Sequence, residues 1–365
     1  MAMQADAGRA AAPVTPHEGD RSRRAVQAIA LLAILLVATI AFSLTSGASD
    51  ASFGAVVRDL LSGSEAEAIS VRDRVVIYDI RLPRVVTGVL VGAGLAVSGA
   101  VLQGLFRNPL ADPALVGISA GSGLGAAATI VLGGTLLGPL TAMLGTFALP
   151  SIAFIGGLAT TALLYRIATR QGRTSVATML LAGIALAALA MAVTGVLVFM
   201  ADDRQIRDMT FWGLGSLAGA TWAKTAAAAP FIILSLAASP FLARGLNALA
   251  LGEATAGHLG IPVQRLKHVS ILSVAAAVGA SVAISGGIGF VGIVVPHLLR
   301  LSIGPDNRYL LPASALLGAS LLLLADAVSR TIVAPAELPI GIITAIAGAP
   351  FFIWILLRRR GVLDL

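Results

Sequence analysis

The residue types that do chemistry are few in this chain, and their spacing excludes most reactions. Its four histidines, His17, His258, His268 and His297, are not spaced as metal ligands, and it has no cysteine. Thiolate metal sites, disulfides and Cys nucleophiles are therefore ruled out, and no metal site is expected. No Gly-x-x-x-x-Gly-Lys-Ser/Thr run occurs, so the chain cannot cradle nucleotide phosphates by itself. No catalytic residue is assigned. What remains is ion pairing. Asp326 stands four residues before Arg330, the spacing of a simple helix pair. Arg81 and Arg84 bracket a Leu-Pro step at the start of an apolar run.

The elements that must position these groups are apolar. Residues 114–165 contain no Asp, Glu, Lys or Arg, which is long enough for two bilayer passes at roughly 20 residues each. Gly133, Gly134, Gly138 and Pro139 offer the break between them. Further charge-free blocks span 25–49, 85–106, 174–201, 225–243, 270–299 and 338–357. Hydrocarbon cannot satisfy backbone polar groups, so such segments must be helices. Only 12% of residues are charged, against ~25% in a soluble domain, and mean hydropathy is +0.93. The chain reads as an all-α polytopic membrane protein of about ten transmembrane helices. A net charge of +7 could suggest nucleic acid. The basic residues, however, sit in short clusters at the ends of apolar blocks, so nucleic-acid binding is not expected.

Residues 1–24 read as a polar N-terminal tail, 25–360 as the ten-helix permeation domain and 361–365 as a C-terminal tail. Ser46-Gly47-Ala48 could end a cleaved leader, but the apolar stretch before it exceeds the usual signal core of about 7–15 residues. A retained first span is favoured. With the block 270–299 broken near Gly286-Gly287 and both termini in the cytoplasm, sixteen Lys and Arg fall on the cytoplasmic side. Nine fall on the other, and that asymmetry fixes the orientation. Val91-Gly-Ala-Gly-Leu-Ala-Val-Ser-Gly-Ala-Val101 matches Val278-Gly-Ala-Ser-Val-Ala-Ile-Ser-Gly-Gly-Ile288 at six of eleven positions. These fall on the second and seventh spans, which cross in opposite directions, as inverted repeats of transporters do. Gly88/Gly92, Gly117/Gly121/Gly125 and Gly215/Gly219 have the four-residue spacing of closely packed membrane helices.

Hydrophobicity drops over residues 244–268, which read as two short cytoplasmic helices, the second opened by Pro262. Within them, Leu249-Ala-Leu-Gly-Glu-Ala-Thr-Ala-Gly-His-Leu-Gly-Ile261 resembles the coupling loop of permease subunits in bacterial ATP-binding-cassette (ABC) importers for iron-siderophores, haem and vitamin B12. Three more blocks resemble that family. They are Arg81-Leu-Pro-Arg84 leading to Gln103-Gly-Leu-Phe-Arg-Asn-Pro-Leu-Ala-Asp-Pro113; Gly286 to Arg300; and Ala336-Glu-Leu-Pro-Ile-Gly341 with Gly348-Ala-Pro-Phe-Phe-Ile-Trp354.

The resemblance implies the vitamin B12 permease-like fold, a homodimer in the bacterial inner membrane and a pathway along its two-fold axis. Two ATPase subunits would dock below, using ATP and Mg, and a periplasmic binding protein above; this chain binds no cofactor. Arg81 and Arg330 would accept carboxylates of the binding protein, and Arg84 would attract an anionic substrate. Asn108, Leu110 and Ser175 would form the cytoplasmic gate, with Val176 departing from the family's hydroxyl. Gly252, Glu253, Ala256, Leu259, Gly260 and Arg265 would couple to the ATPase, the small residues seating in its cleft and Glu253 and Arg265 at the rim. Asp208 to Gly219, with Phe211 and Trp212, resembles the haem branch, although the two aromatics could equally be an interfacial anchor. Haem is the favoured substrate, with ferric siderophore and cobalamin as alternatives. A secondary carrier or channel would need an intramembrane charged site, and a membrane-embedded enzyme would need polar residues clustered at one depth.

Overall fold

Helix after helix forms because the apolar blocks leave the backbone no other partner for its polar groups. The computed structural model describes residues 21–46 and 71–358. In chain order the helices are α1 (Ser22–Thr45), α2 (Val71–Phe106), α3 (Ile118–Leu132), α4 (Gly138–Ala168), α5 (Val176–Met200), α6 (Asp203–Leu214), α7 (Trp222–Leu249), α8 (Glu253–His258), α9 (Val263–Ser285), α10 (Val291–Ile303), α11 (Asn307–Thr331) and α12 (Ile340–Arg358). A two-stranded hairpin, β1 (Thr169–Arg170) and β2 (Arg173–Thr174), joins α4 to α5. Seven helices are long and apolar enough to cross a membrane; α3, α10 and α12 are shorter and apolar. These are the ten segments expected from the apolar blocks, with the seventh and eighth separated at Gly286-Gly287. Residues 1–20, most of the candidate leader end at 46–48, and the C-terminal tail lie outside the described residues.

The hydrophobic core is built around α2, which is buried along most of its length and packs against α7, α9, α10 and α11. Its glycines explain the closeness. A side chain on Gly92 would run into the backbone of Gly318 and Ala319 in α11, and one on Gly99 into the backbone of Gly292 in α10. Membrane helices gain their packing energy from such approaches. Gly121 and Gly125 of α3 meet α4 in the same way. Gly215 and Gly219, by contrast, do not lie on a helix; they belong to the turn after α6, so the helix-packing reading fails there.

The two copies of the repeat lie against one another, since Gly94 of α2 faces Ala277 and Ser281 of α9. The first copy is helical throughout, whereas the second leaves the helix at Gly286, which has a φ of 71°. Ala100 of the first copy is replaced by Gly287 in the second. A Gly-Gly pair lowers helix propensity by roughly 1 kcal/mol per glycine and allows the exit.

The segment 244–268 differs from the two short helices expected. Leu242, Ala243, Leu246 and Leu249 form a buried stripe at helical spacing, so α7 continues through it. Pro262 then opens the long helix α9 itself, where its missing N–H costs nothing.

At the same end of the bundle Asp306 caps α11, accepting from the Arg308 N–H at 3.0 Å and from Asn247 of α7 at 2.7 Å. Burial pushes this carboxyl up, but hydrogen bonds from Arg308 and Asn247 outweigh it and hold it below the usual carboxylate range. Its contribution is therefore present at neutral pH and is lost as pH falls through the lowered value. Asp306→Ala is expected to cost about 1 kcal/mol, the usual worth of an N-cap. Thermal unfolding in detergent at pH 7 checks this, and the difference from wild type should shrink at acid pH.

Candidate functional site

One end of the bundle concentrates charge. A stretch of π-helix, Val75–Arg81, opens α2 and delivers Arg81 and, one turn on, Arg84. Arg84 donates through Nε to Asp326 at 3.0 Å and through Nη1 to Glu337 at 2.9 Å. Asp326, fully buried, also pairs with Arg330 at 3.1 Å. The carboxylate thus serves two guanidiniums, not the single i,i+4 partner expected from spacing. Arg330 further donates to the Ser43 hydroxyl at 3.0 Å and the Ser46 carbonyl at 2.8 Å, and Arg81 donates to the Leu44 carbonyl at 2.6 Å. These carbonyls belong to the last turn of α1, where a helix has unsatisfied acceptors and its dipole favours cations.

That geometry corrects three expectations. Arg81, Arg330 and Arg84 were expected at the outer surface, the first two as docking sockets and the third as an electrostatic lure. Their exposures are 4%, 7% and 6%. All three are committed to internal acceptors, because an unpaired charge inside an apolar bundle costs far more than the fixed pairing does. Together they lock α1, α2 and α11. Glu337, which completes the cluster, sits in the Ala336-Glu-Leu-Pro block, but no periodicity marked it as a partner of Arg84.

Broken helices meet deeper in the bundle. The Ser216 N–H donates to the Ser285 carbonyl at 2.7 Å and the Ile340 N–H to the Gly215 carbonyl at 2.9 Å, tying the turn after α6 to the ends of α9 and α12. Phe290, with a φ of 67°, begins α10 and packs on Gly348. Left-handed backbone at a bulky residue is a strained conformation. Two cavities flank this junction, of about 390 and 240 Å³, and Gly213 lines both. The larger lies among α3, α5 and α6 and is lined by Trp212, Met191, Met209 and small apolar residues. The smaller carries Asp112, Ser119 and the backbone of Gly287 and Gly289. Irregular backbone at membrane depth is tolerated where it is buried in protein or lines a cavity. Trp212 therefore faces a cavity and is not an interfacial anchor; Phe211 beside it is exposed. The chain's sequence did not mark Met191 and Met209 as its companions, since they are contributed by two different helices.

The opposite end of the bundle carries the candidate gate and coupling residues. Asn108 accepts from the Leu110 N–H at 2.9 Å, closing a turn after α2. Ser175 caps α5, accepting from the Thr178 N–H at 3.3 Å. Both positions are turns, as expected. In the coupling segment Gly252 and Gly260 have φ of 108° and 76°, so they make the bends at either end of α8. Ala256, expected to seat in a partner's cleft, is fully buried against its own chain. The outward groups are Leu251, Leu259, Glu253 and Arg265. Glu253 does not stand free at a rim but pairs with Lys267 at 2.7 Å.

Comparison with known proteins agrees with this architecture. The FecCD transport family matches residues 35–358. The hemin transport system permease HmuU of Yersinia pestis is 47% identical over 282 residues, 77% of this chain and 83% of that protein. The vitamin B12 import system permease BtuC of Shigella boydii is 39% identical over 346 residues, 93% and 98% of the two chains. A solved structure, described as an inward-facing conformation of a metal-chelate type ABC transporter, superposes with a TM-score of 0.78 at 34% identity, covering 91% of this chain and 99% of that one. With ten apolar helices, broken segments at its cavities and a family match over nearly its whole length, the chain belongs to the FecCD transport family of ABC importer permeases.

Proposed function

We propose that this chain is the permease subunit of a bacterial inner-membrane importer for haem. It works as a homodimer with both termini in the cytoplasm. Two ATPase subunits bind at the α8 end and a periplasmic binding protein at the Arg81 end. ATP is hydrolysed in the partners with Mg, and the chain itself is not an enzyme. The turns at Asn108–Leu110 and Ser175 close the pathway towards the cytoplasm.

The observation that carries the substrate reading is the larger cavity. Its lining holds Trp212, two methionines and no charged side chain. A flat apolar macrocycle gains from such a wall by burial and stacking, whereas a hydrophilic siderophore would leave its polar groups unpaired. The 47% identity to a hemin permease supports the same substrate, while BtuC relatives at 39–44% make cobalamin the competitor.

The test is ATP-driven uptake into proteoliposomes carrying the permease, its ATPase and its binding protein. Haem uptake is expected, with Trp212→Ala reducing it by about tenfold, the order of a lost aromatic contact of 1–1.5 kcal/mol. Uptake of cobalamin or a ferric siderophore in place of haem would overturn the substrate assignment.

A further inference from the structure

Lys267 is the largest of the fully buried side chains, at 2% exposure, and it lies in the second turn of α9. Lysine is almost never buried without a partner, and a methionine would fill the same space with no desolvation cost. Its ammonium has two acceptors. Nζ stands 2.7 Å from the Glu253 carboxylate at the start of α8 and 2.8 Å from the Thr174 carbonyl in the β1–β2 hairpin. Three residues earlier on the same face of α9, Gln264 accepts from the Thr174 N–H at 3.0 Å. Both backbone groups of Thr174 are thus held by α9. The hairpin has only two residues per strand, and its other tie is the hydroxyl contact between Thr169 and Thr174 at 2.9 Å. The next residue, Ser175, caps α5, whose far half lines the larger cavity.

We infer that Lys267 is a positioning residue that links α8 to the start of α5 through Thr174, so that displacement of α8 by a partner is passed to the wall of the pathway. This rests on the importer reading, because it supposes an ATPase that moves α8. The asymmetry of exposure sets the direction. Glu253 is 42% exposed in its side chain and open to a partner, while Lys267 and Thr174 are enclosed. Charge is needed at the joint because one ammonium can hold a carboxylate and a carbonyl from two separate segments at once. An apolar side chain would fill the space but hold neither in register.

Uptake per ATP hydrolysed and nucleotide-dependent labelling give the test. The chain has no cysteine, so Arg173→Cys in the exposed hairpin turn supplies a single maleimide site. In the reconstituted complex, labelling at this position should change between ATP-bound and nucleotide-free states. Lys267→Met should abolish that change and lower uptake per ATP by about tenfold or more, within the usual range of coupling, with ATP hydrolysis kept within about twofold. Adding Glu253→Gln to Lys267→Met should cause no further loss, since both act in one linkage. Should Lys267→Met fail to fold, Gln264→Leu and Glu253→Gln each carry the same test with a partial loss expected. Wild-type uptake per ATP with intact labelling change in these variants would overturn the link. So would a wild-type complex that hydrolyses ATP and imports substrate with no labelling change at residue 173. A permease that binds no ATPase would instead overturn the importer reading.

Discussion

Replacing Asp326 with alanine is expected to destabilise the protein by about 3–5 kcal/mol, the cost of leaving a buried charge without its partner. The reason is stoichiometric. Asp326 is the one carboxylate that contacts both Arg84 and Arg330, and it is fully buried. Its loss leaves Arg84 with Glu337, which is 37% exposed in its side chain and held less firmly. Arg330 is left with only the carbonyl and hydroxyl acceptors of α1 and its own helix. Repulsion between the two guanidiniums would then open the junction of α1, α2 and α11. Thermal unfolding and size-exclusion behaviour in detergent read this directly. Asp326→Asn should be nearly as damaging, since the amide keeps the shape but not the charge. A triple replacement of Asp326, Arg84 and Arg330 by apolar residues of similar volume should recover much of the loss, because it removes the buried charges together. Wild-type stability of Asp326→Ala would show that the cluster is solvated and not a lock.

Gly99→Val is expected to be the other severe change, costing at least the 1–3 kcal/mol typical of overpacking and reducing the yield of folded protein in the membrane. A Cβ at this position collides with the backbone of Gly292 and not with a side chain that could swing aside. Helix α2 would have to separate from α10, opening the core along its most buried element. Gly195→Ala supplies the control. It is also a helical glycine, in α5, but its added methyl would meet nothing within 4 Å. That change should be neutral or mildly stabilising by up to ~1 kcal/mol from helix propensity. Equal behaviour of the two variants in thermal unfolding would refute the close-packing account.

How far the chain can be read without coordinates depends on the distance over which each constraint acts. The ten apolar segments were legible because span length and charge avoidance are properties of consecutive residues. The break at Gly286-Gly287 was legible for the same reason, and so were the turns at Asn108 and Ser175. The end of α7 was less so. Its last turns are stabilised by packing against α9 and not by apolarity, so a drop in hydrophobicity marked a helix boundary six residues early.

Side-chain roles were the least legible. The positions of Arg81, Arg84 and Arg330 at the ends of apolar runs suggested an exposed basic face. Only the fold showed that the α1 terminus covers two of them and that Asp326 and Glu337 bind the third. Ala256 looked like a contact for a partner because it is small and lies in a polar segment, yet it is buried against its own chain. Lys267 drew no particular notice, since its partners stand 14 and 93 residues away in sequence. The sequence by itself determined what must be helical, how many times the chain crosses and the family to which it belongs, because hydrocarbon constrains every consecutive residue in the same way. The tertiary structure decided which charges face each other. Ion pairing is set by proximity in space, and in a bundle held together by backbone contacts at Gly92 and Gly99 that proximity is fixed by helix packing and not by order along the chain.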